Sequence, residues 1–338
     1  MEISERKVVK DNYASCSIDD YVSDAALIWT KDIRRPLSDM WYIVVSHAAN
    51  LGEALRREEY ADAGHEVGRI AVWLVSFVAR LHAPEKESFD HIFQTSTPLS
   101  RIIWNKYPNC CPVCYSEQIV IPKLRGEEVE DFGGKLTACN CVLRQEDIET
   151  RSLRYKPKVR EQIRLQRRQY AEKHQPKSPE SFSFDSLESM FFEVFQAAIT
   201  VESPEQIGLH LLEEVGEVCT ALTAIYTYKS EEEATPELYR ARILELENEI
   251  ADVISWLFAV SSKLRLIYEK FDRTPQRLYP DSKVLWKPVA SDLFVSKRIW
   301  AEYGNTGIFS CRVCKQIVCN CSIHLVTKQE QMNRILGV

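Results

Sequence analysis

The sequence predicts an all-α protein built from two helical bundles in tandem, forming an intramolecular pseudo-dimer, each bundle carrying a small zinc-knuckle appendage. Three observations carry that prediction. Apolar residues recur at helical spacing through most of the chain, and period-two alternation is confined to short pieces such as residues 118–121. Five segments occur twice in the same order. Two cysteine clusters, each C-x-x-C followed by C-x-C, close the two copies.

The repeat defines the boundaries. SIDD from Ser17 resembles SFDS from Ser183, and VVSHAANLGEAL from Val44 matches LLEEVGEVCTAL from Leu211. HEVGRIAVWLVSFVARL from His65 matches NEIADVISWLFAVSSKL from Asn248, with Trp73 and Trp256 in register. RIIWNKYPN leads into Cys111-x-x-Cys114 as KRIWAEYGN leads into Cys311-x-x-Cys314, and C-N-C ends both copies. The expected organisation is therefore a first bundle over 17–109, a knuckle over 110–145 and a basic helix with linker over 146–182. A second bundle follows over 183–305, with its knuckle over 306–325.

In the second bundle, Phe184, Leu187, Phe191, Val194 and Phe195 mark one face of a first helix. A second helix starts at Ser203-Pro204, with Ser203 as its cap and Leu211, Val215, Val218 and Leu222 turned inward. A third covers about residues 236–268 and buries Ile250, Val253, Ile254 and Leu257. Between the repeats, the polar, basic stretch 159–174 reads as an exposed helix. It could attract a triphosphate or nucleic acid, but a solvated connector is the expected role.

The composition is that of an ordinary globular chain of about two domains, 338 residues long, 45% hydrophobic, 27% charged and with a net charge of −6. That mild acidity argues against a surface devoted to nucleic acid. The longest apolar runs, such as 70–79, are too short to span a bilayer. The N-terminal MEISERKVVKDNY lacks the apolar core of a secretory signal, so the expected location is cytoplasmic.

Chemistry concentrates in Glu213-Glu214-x-x-Glu217 on the second helix and Glu249-x-x-Asp252 on the third. Residues three apart share a helix face, so each helix presents a pair of carboxylates. Glu214 lies between Leu211 and Val218 on the apolar stripe, and Glu249 and Asp252 flank Val253 and Trp256, where a solvated acid would not normally sit. Antiparallel packing would bring four carboxylates together, and divalent cations would relieve their repulsion, Mg²⁺ or Mn²⁺ suiting all-oxygen ligands.

These motifs resemble those of the MazG-like all-α NTP pyrophosphohydrolases, a group that includes dimeric dUTPases and phosphoribosyl-ATP pyrophosphohydrolase. EIADVISWLFAVSSKL looks like that family's third helix, and KYPN-CPVC with a later C-x-C is similar to a cysteine tail some members carry. The resemblance covers the two repeats. It implies Mg²⁺-dependent cleavage between the α and β phosphates of a nucleoside triphosphate. Glu214, Glu217, Glu249 and Asp252 would be the metal ligands and Glu213 a general base or supporting partner. Lys263 and Arg265, beyond the third helix, are candidate phosphate contacts. A non-catalytic nucleotide and Mg²⁺ sensor, signalling through its zinc modules, is the alternative.

The first repeat departs from this pattern. His47 and Asn50 stand where Glu214 and Glu217 would be, Glu66 matches Glu249, and Arg69 replaces Asp252. A guanidinium is incompatible with the same metal site and could pair with Glu66 or reach toward phosphate. The first half is therefore expected to be an inactive scaffold, with His47 a satisfied, partly buried histidine. Since family members commonly pair two copies around a pocket, one chain here would supply both, and a further homodimer stays open.

Of 11 cysteines, Cys16 and Cys219 stand apart and Cys110 adjoins a cluster. Cys111, Cys114, Cys139 and Cys141, and separately Cys311, Cys314, Cys319 and Cys321, form two closed thiolate sets expected to hold structural zinc in a reducing compartment. Cys110 and His324 are substitutes within reach in sequence.

Overall fold

The structure, a computed structural model, describes residues 16–29, 35–83, 95–115, 120, 126, 139, 141, 156–177, 179–228, 235–273, 294–305 and 308–309. The described part is mostly helical, as the periodicity predicts. In the first half, α1 (Ile18–Ile28), α2 (Leu37–Arg56), α3 (Tyr60–Leu81) and α4 (Leu99–Lys106) follow one another. The linking segment contributes α5 (Pro157–Lys173). The second half supplies α6 (Phe184–Val201), α7 (Pro204–Tyr228), α8 (Pro236–Arg273) and α9 (Val295–Tyr303). A short antiparallel hairpin, β1 (Gly304–Asn305) with β2 (Ile308–Phe309), follows α9. Of the alternating residues 118–121, only Val120 is described.

The cap read from sequence at Ser203 forms. Ser203 accepts from the Gln206 amide at 3.3 Å, and the Gln206 side chain accepts from the Ser203 amide at 2.8 Å, closing a reciprocal box on α7. Asp20 and Ser17 do the same at the start of α1, and Ser183 accepts from the Ser186 amide at the start of α6. Ser17 and Ser183 pair as an isolated antiparallel bridge, so the two matched segments meet in space.

One apolar core runs through both halves. Helix α2 packs on α3 and α7 on α8, while α2 also packs on α7, where the Trp41 indole donates to the Val215 carbonyl at 3.0 Å. The short fourth helix of each repeat lies on the third helix of the other: α4 on α8, and α9 on α3. Gly68 permits the second of these contacts, because a Cβ there would lie 3.0 Å from the Arg298 carbonyl carbon and oxygen. Leu211, Val215, Val218 and Leu222 on α7, and Ile250, Val253, Ile254 and Leu257 on α8, are all buried. Among the described residues, no helix is long and apolar enough to cross a membrane.

A buried ion pair ties α6, α8 and α9 together. The fully buried Glu188 carboxylate accepts from Arg265 at 3.1 Å, from the Ser261 hydroxyl at 2.9 Å and from the Val295 amide at 3.0 Å. Burial outweighs the pull of Arg265 and lifts its pKa to about 7. Removing one partner of such a pair strands the other charge. Glu188→Ala is therefore expected to lower folding stability by roughly 3–5 kcal/mol, measured by urea denaturation; a loss below about 1 kcal/mol would show the pair to be dispensable.

Candidate functional site

Helices α7 and α8 bring three of the four expected carboxylates together. Glu214 and Glu217, one turn apart, and Glu249 opposite them each place an oxygen within 4.8 Å of the others. Their helices present them because the flanking Leu211, Val215, Ile250 and Val253 must face the core. The Trp256 indole donates to Glu214 at 3.1 Å and stacks on His210, fixing that carboxylate's orientation.

Asp252 is placed differently from the expectation of four equivalent acids. It is buried in the same cleft, but its two oxygens accept from the Lys106 ammonium and the Tyr107 hydroxyl. Lys106 also donates to the Asn248 carbonyl at 3.2 Å. Both partners come from the end of α4, in the other repeat, and the carboxylate spacing on α8 gave no sign of them. Burial, followed by the charge of Asp252, pushes the Tyr107 phenol well above its ordinary range, so it stays a proton donor.

Crowding shows in the acid strengths. Burial first, then Asp252 and Glu217, raises Glu214 to about 7. Burial likewise raises Glu249 to about 8, helped by Asp252 and Glu217 and opposed by Lys106. In the unfolded chain both would ionise near 4.5, so their acid forms contribute stability that is complete below about pH 4.5 and fades as pH rises through about 7 and 8. Glu188 acts in the same direction. The metal-free protein is thus expected to melt at a lower temperature at about pH 8 than at about pH 5.5, and added Mn²⁺ to restore more of the loss at the higher pH, where the carboxylates that would hold it are ionised. Calorimetry checks this; a melting temperature that rises toward pH 8 without metal contradicts it.

The carboxylates line a cleft of about 420 Å³. Pro112 and Val113 contribute apolar lining, and Arg160, Ile163, Arg164 and Arg167 of α5 line it too. This corrects the reading of that helix as a solvated connector. Its polar sequence disguised the inward face because a face turned to a charged cleft is as polar as one turned to water.

Lys263 and Arg265 are not among the residues that line the cleft. Lys263 donates to the Ile199 and Thr200 carbonyls, at 2.9 and 3.1 Å, and Arg265 is the partner of Glu188. Glu213 is exposed on the far side of the α7 stripe, 3.4 Å from His210. These three stand near the cleft carboxylates in sequence only. A charge near a helix end has a nearer use in satisfying orphan carbonyls, as Lys263 does.

The matching positions of the first repeat contain no acidic cluster. Glu66 accepts from Arg69 at 2.5 Å and meets His47 Nδ1 at 2.7 Å. Burial pushes Glu66 upward, but the His47 and Arg69 contacts outweigh it and hold the carboxyl below its ordinary value.

Cys111, Cys114, Cys139 and Cys141 form the second donor cluster, their sulfurs within 4.8 Å of one another and Cys111 Sγ 3.7 Å from Cys141 Sγ. Contacts with the neighbouring thiols, together with burial, push Cys111 up, whereas its Cys111 contact holds Cys139 below the ordinary thiol value. Four cysteine sulfurs packed this closely suit a cation such as zinc. Cys110 lies outside the four, and burial pushes its thiol to about 12. Cys311, Cys314, Cys319, Cys321 and His324 lie outside the described residues. Comparison with known protein families, curated proteins and solved structures gives no match to this chain.

Proposed function

We propose that the protein hydrolyses a nucleoside triphosphate to the monophosphate and pyrophosphate, using Mg²⁺ or Mn²⁺ held in the second repeat. The observation that carries this reading is the convergence of Glu214, Glu217 and Glu249 on one point of a cleft that also contains Lys106 and three arginines. The raised acid strengths fit a site whose ionised form needs a cation. When bound, the cation supplies charge neutralisation of the polyphosphate and a more acidic water. The resemblance of E-E-x-x-E and E-x-x-D to the MazG-like enzymes supports the same reaction.

In this reading Glu214, Glu217 and Glu249 hold the cation. Lys106 and Tyr107 engage both oxygens of Asp252 and orient it at the cleft wall. Glu213, being exposed, takes no part. The two repeats act as an intramolecular pseudo-dimer, the inactive first half completing the working site through α4, and the cysteine sets hold structural zinc. Incubation with a panel of NTPs and dNTPs plus Mg²⁺ tests it: pyrophosphate and monophosphate should form in equal amounts from at least one.

The engagement of Asp252 by Lys106 and Tyr107 favours a second reading, a nucleotide and Mg²⁺ sensor, since it leaves three ligands instead of four. Tight, metal-dependent nucleotide binding with no product from any member of the panel would select the sensor.

A further inference from the structure

We propose that α5, the helix between the repeats, is the polyphosphate-binding wall of the cleft, with Arg160, Arg164 and Arg167 as its phosphate ligands. This rests on the reading of the carboxylates as a cation site, and it assigns the substrate class more narrowly: a metal-bound chain of several phosphates. The three arginines stand at i, i+4 and i+7, one face of the helix, and they line the same cleft as Glu214, Glu217 and Glu249. Seven residues of helix advance about 10 Å, so the arginines form a row along the cleft, suited to an extended anion.

Among the described residues no carboxylate pairs with any of the three, and the Arg167 Nε is buried without a hydrogen-bond partner. A solvated connector would have no reason to bury a guanidinium beside a cleft. The helix is also fixed in place. Val159 and Ala171 are buried, the Trp104 indole donates to the Ala171 carbonyl at 2.9 Å, and Tyr170 packs on Tyr115 with ring centroids 4.6 Å apart. Because α4 carries both Trp104 and Lys106, the same helix anchors the arginine row and the counter-charge of Asp252.

Charge complementarity completes the assignment. A divalent cation offsets the carboxylates, leaving the arginines to offset the substrate's own charge. A guanidinium fork matches phosphate oxygens in pairs, a recognition that a single phosphate would use only in part.

The test is calorimetric, on the full chain. Mn²⁺ alone is titrated first, then inorganic tripolyphosphate, pyrophosphate and orthophosphate in the presence of Mn²⁺. The wild type should bind tripolyphosphate more tightly than pyrophosphate, and orthophosphate weakest. The double variant R160Q/R164Q changes two exposed side chains and should keep the helical content and Mn²⁺ affinity. It should lose about tenfold or more in tripolyphosphate affinity; R167Q should lose a similar amount. Unchanged tripolyphosphate affinity in both variants overturns the assignment while leaving the cation site standing. Absence of Mn²⁺ binding in the wild type overturns the cation site itself. A single-stranded oligonucleotide with a 5′-hydroxyl that displaces tripolyphosphate would show instead that the row binds a nucleic-acid backbone, and would also overturn it.

Discussion

Glu249→Gln is expected to abolish pyrophosphate release and, in the same molecule, to raise the melting temperature of the metal-free protein. The first effect follows from its place in the cluster, where its oxygen lies within 4.8 Å of those of Glu214 and Glu217. Substituting even an outer partner of a metal ligand commonly costs about 10–100-fold in activity or affinity, so loss of a ligand should cost at least about 100-fold. The second effect follows from its acid strength. Glu249 is raised to about 8 from an ordinary 4.5, which means its ionised form is disfavoured by burial and by Asp252 and Glu217 at neutral pH. Glutamine is the neutral isostere of the favoured form. A residue present only for the fold would lose stability and activity together. Activity assays and melting curves on the two proteins, without and with Mn²⁺, separate these cases. A variant that releases pyrophosphate at the wild-type rate would remove Glu249 from the reaction.

The opposite signs of those two effects explain why part of the site was legible in the sequence. Acids placed on an apolar stripe break the helical pattern, and Glu214 and Glu249 were conspicuous because Leu211, Val218 and Val253 define that stripe so clearly. The degenerate copy was legible for the same reason, and Glu66 does pair with Arg69, one of the two roles open to that guanidinium. Partners supplied from a distance were not legible. Lys106 and Tyr107 reach Asp252 across about 145 residues of chain, which only the exchange of fourth helices between repeats brings about. A signal for them was present in the repeat. Lys106 matches Glu302, and Asp252 matches Arg69, so charge is reversed at both positions of the matched segments. The arginines of α5 left no such trace, because that helix has no counterpart in the second copy and its cleft face is as polar as its solvent face.

Loss of the first cysteine cluster should reach the same cleft. Cys111 and Cys114 bracket Pro112 and Val113, which contribute apolar lining, so a metal closing that loop would fix that part of the wall. A second route runs through α6. Its backbone leaves helical geometry at Phe195, and the preceding Val194 carbonyl accepts from the Cys139 amide at 2.6 Å. Phe195 in turn packs against Tyr107, with ring centroids 6.0 Å apart, and Tyr107 holds Asp252. Metal in isolated zinc fingers contributes on the order of 10 kcal/mol to folding. Here the large apolar core of both repeats is a cluster separate from the one that holds the cysteines, so the effect should fall on the cleft. Cys111→Ser is expected to lose one zinc ion per chain, to keep most of its helical signal, and to drop about 10–100-fold in activity. Elemental analysis, circular dichroism and the pyrophosphate assay check the three parts. Zinc loss with full activity would disconnect the cluster from the site, and purified wild-type protein without zinc would remove the metal from the cluster altogether.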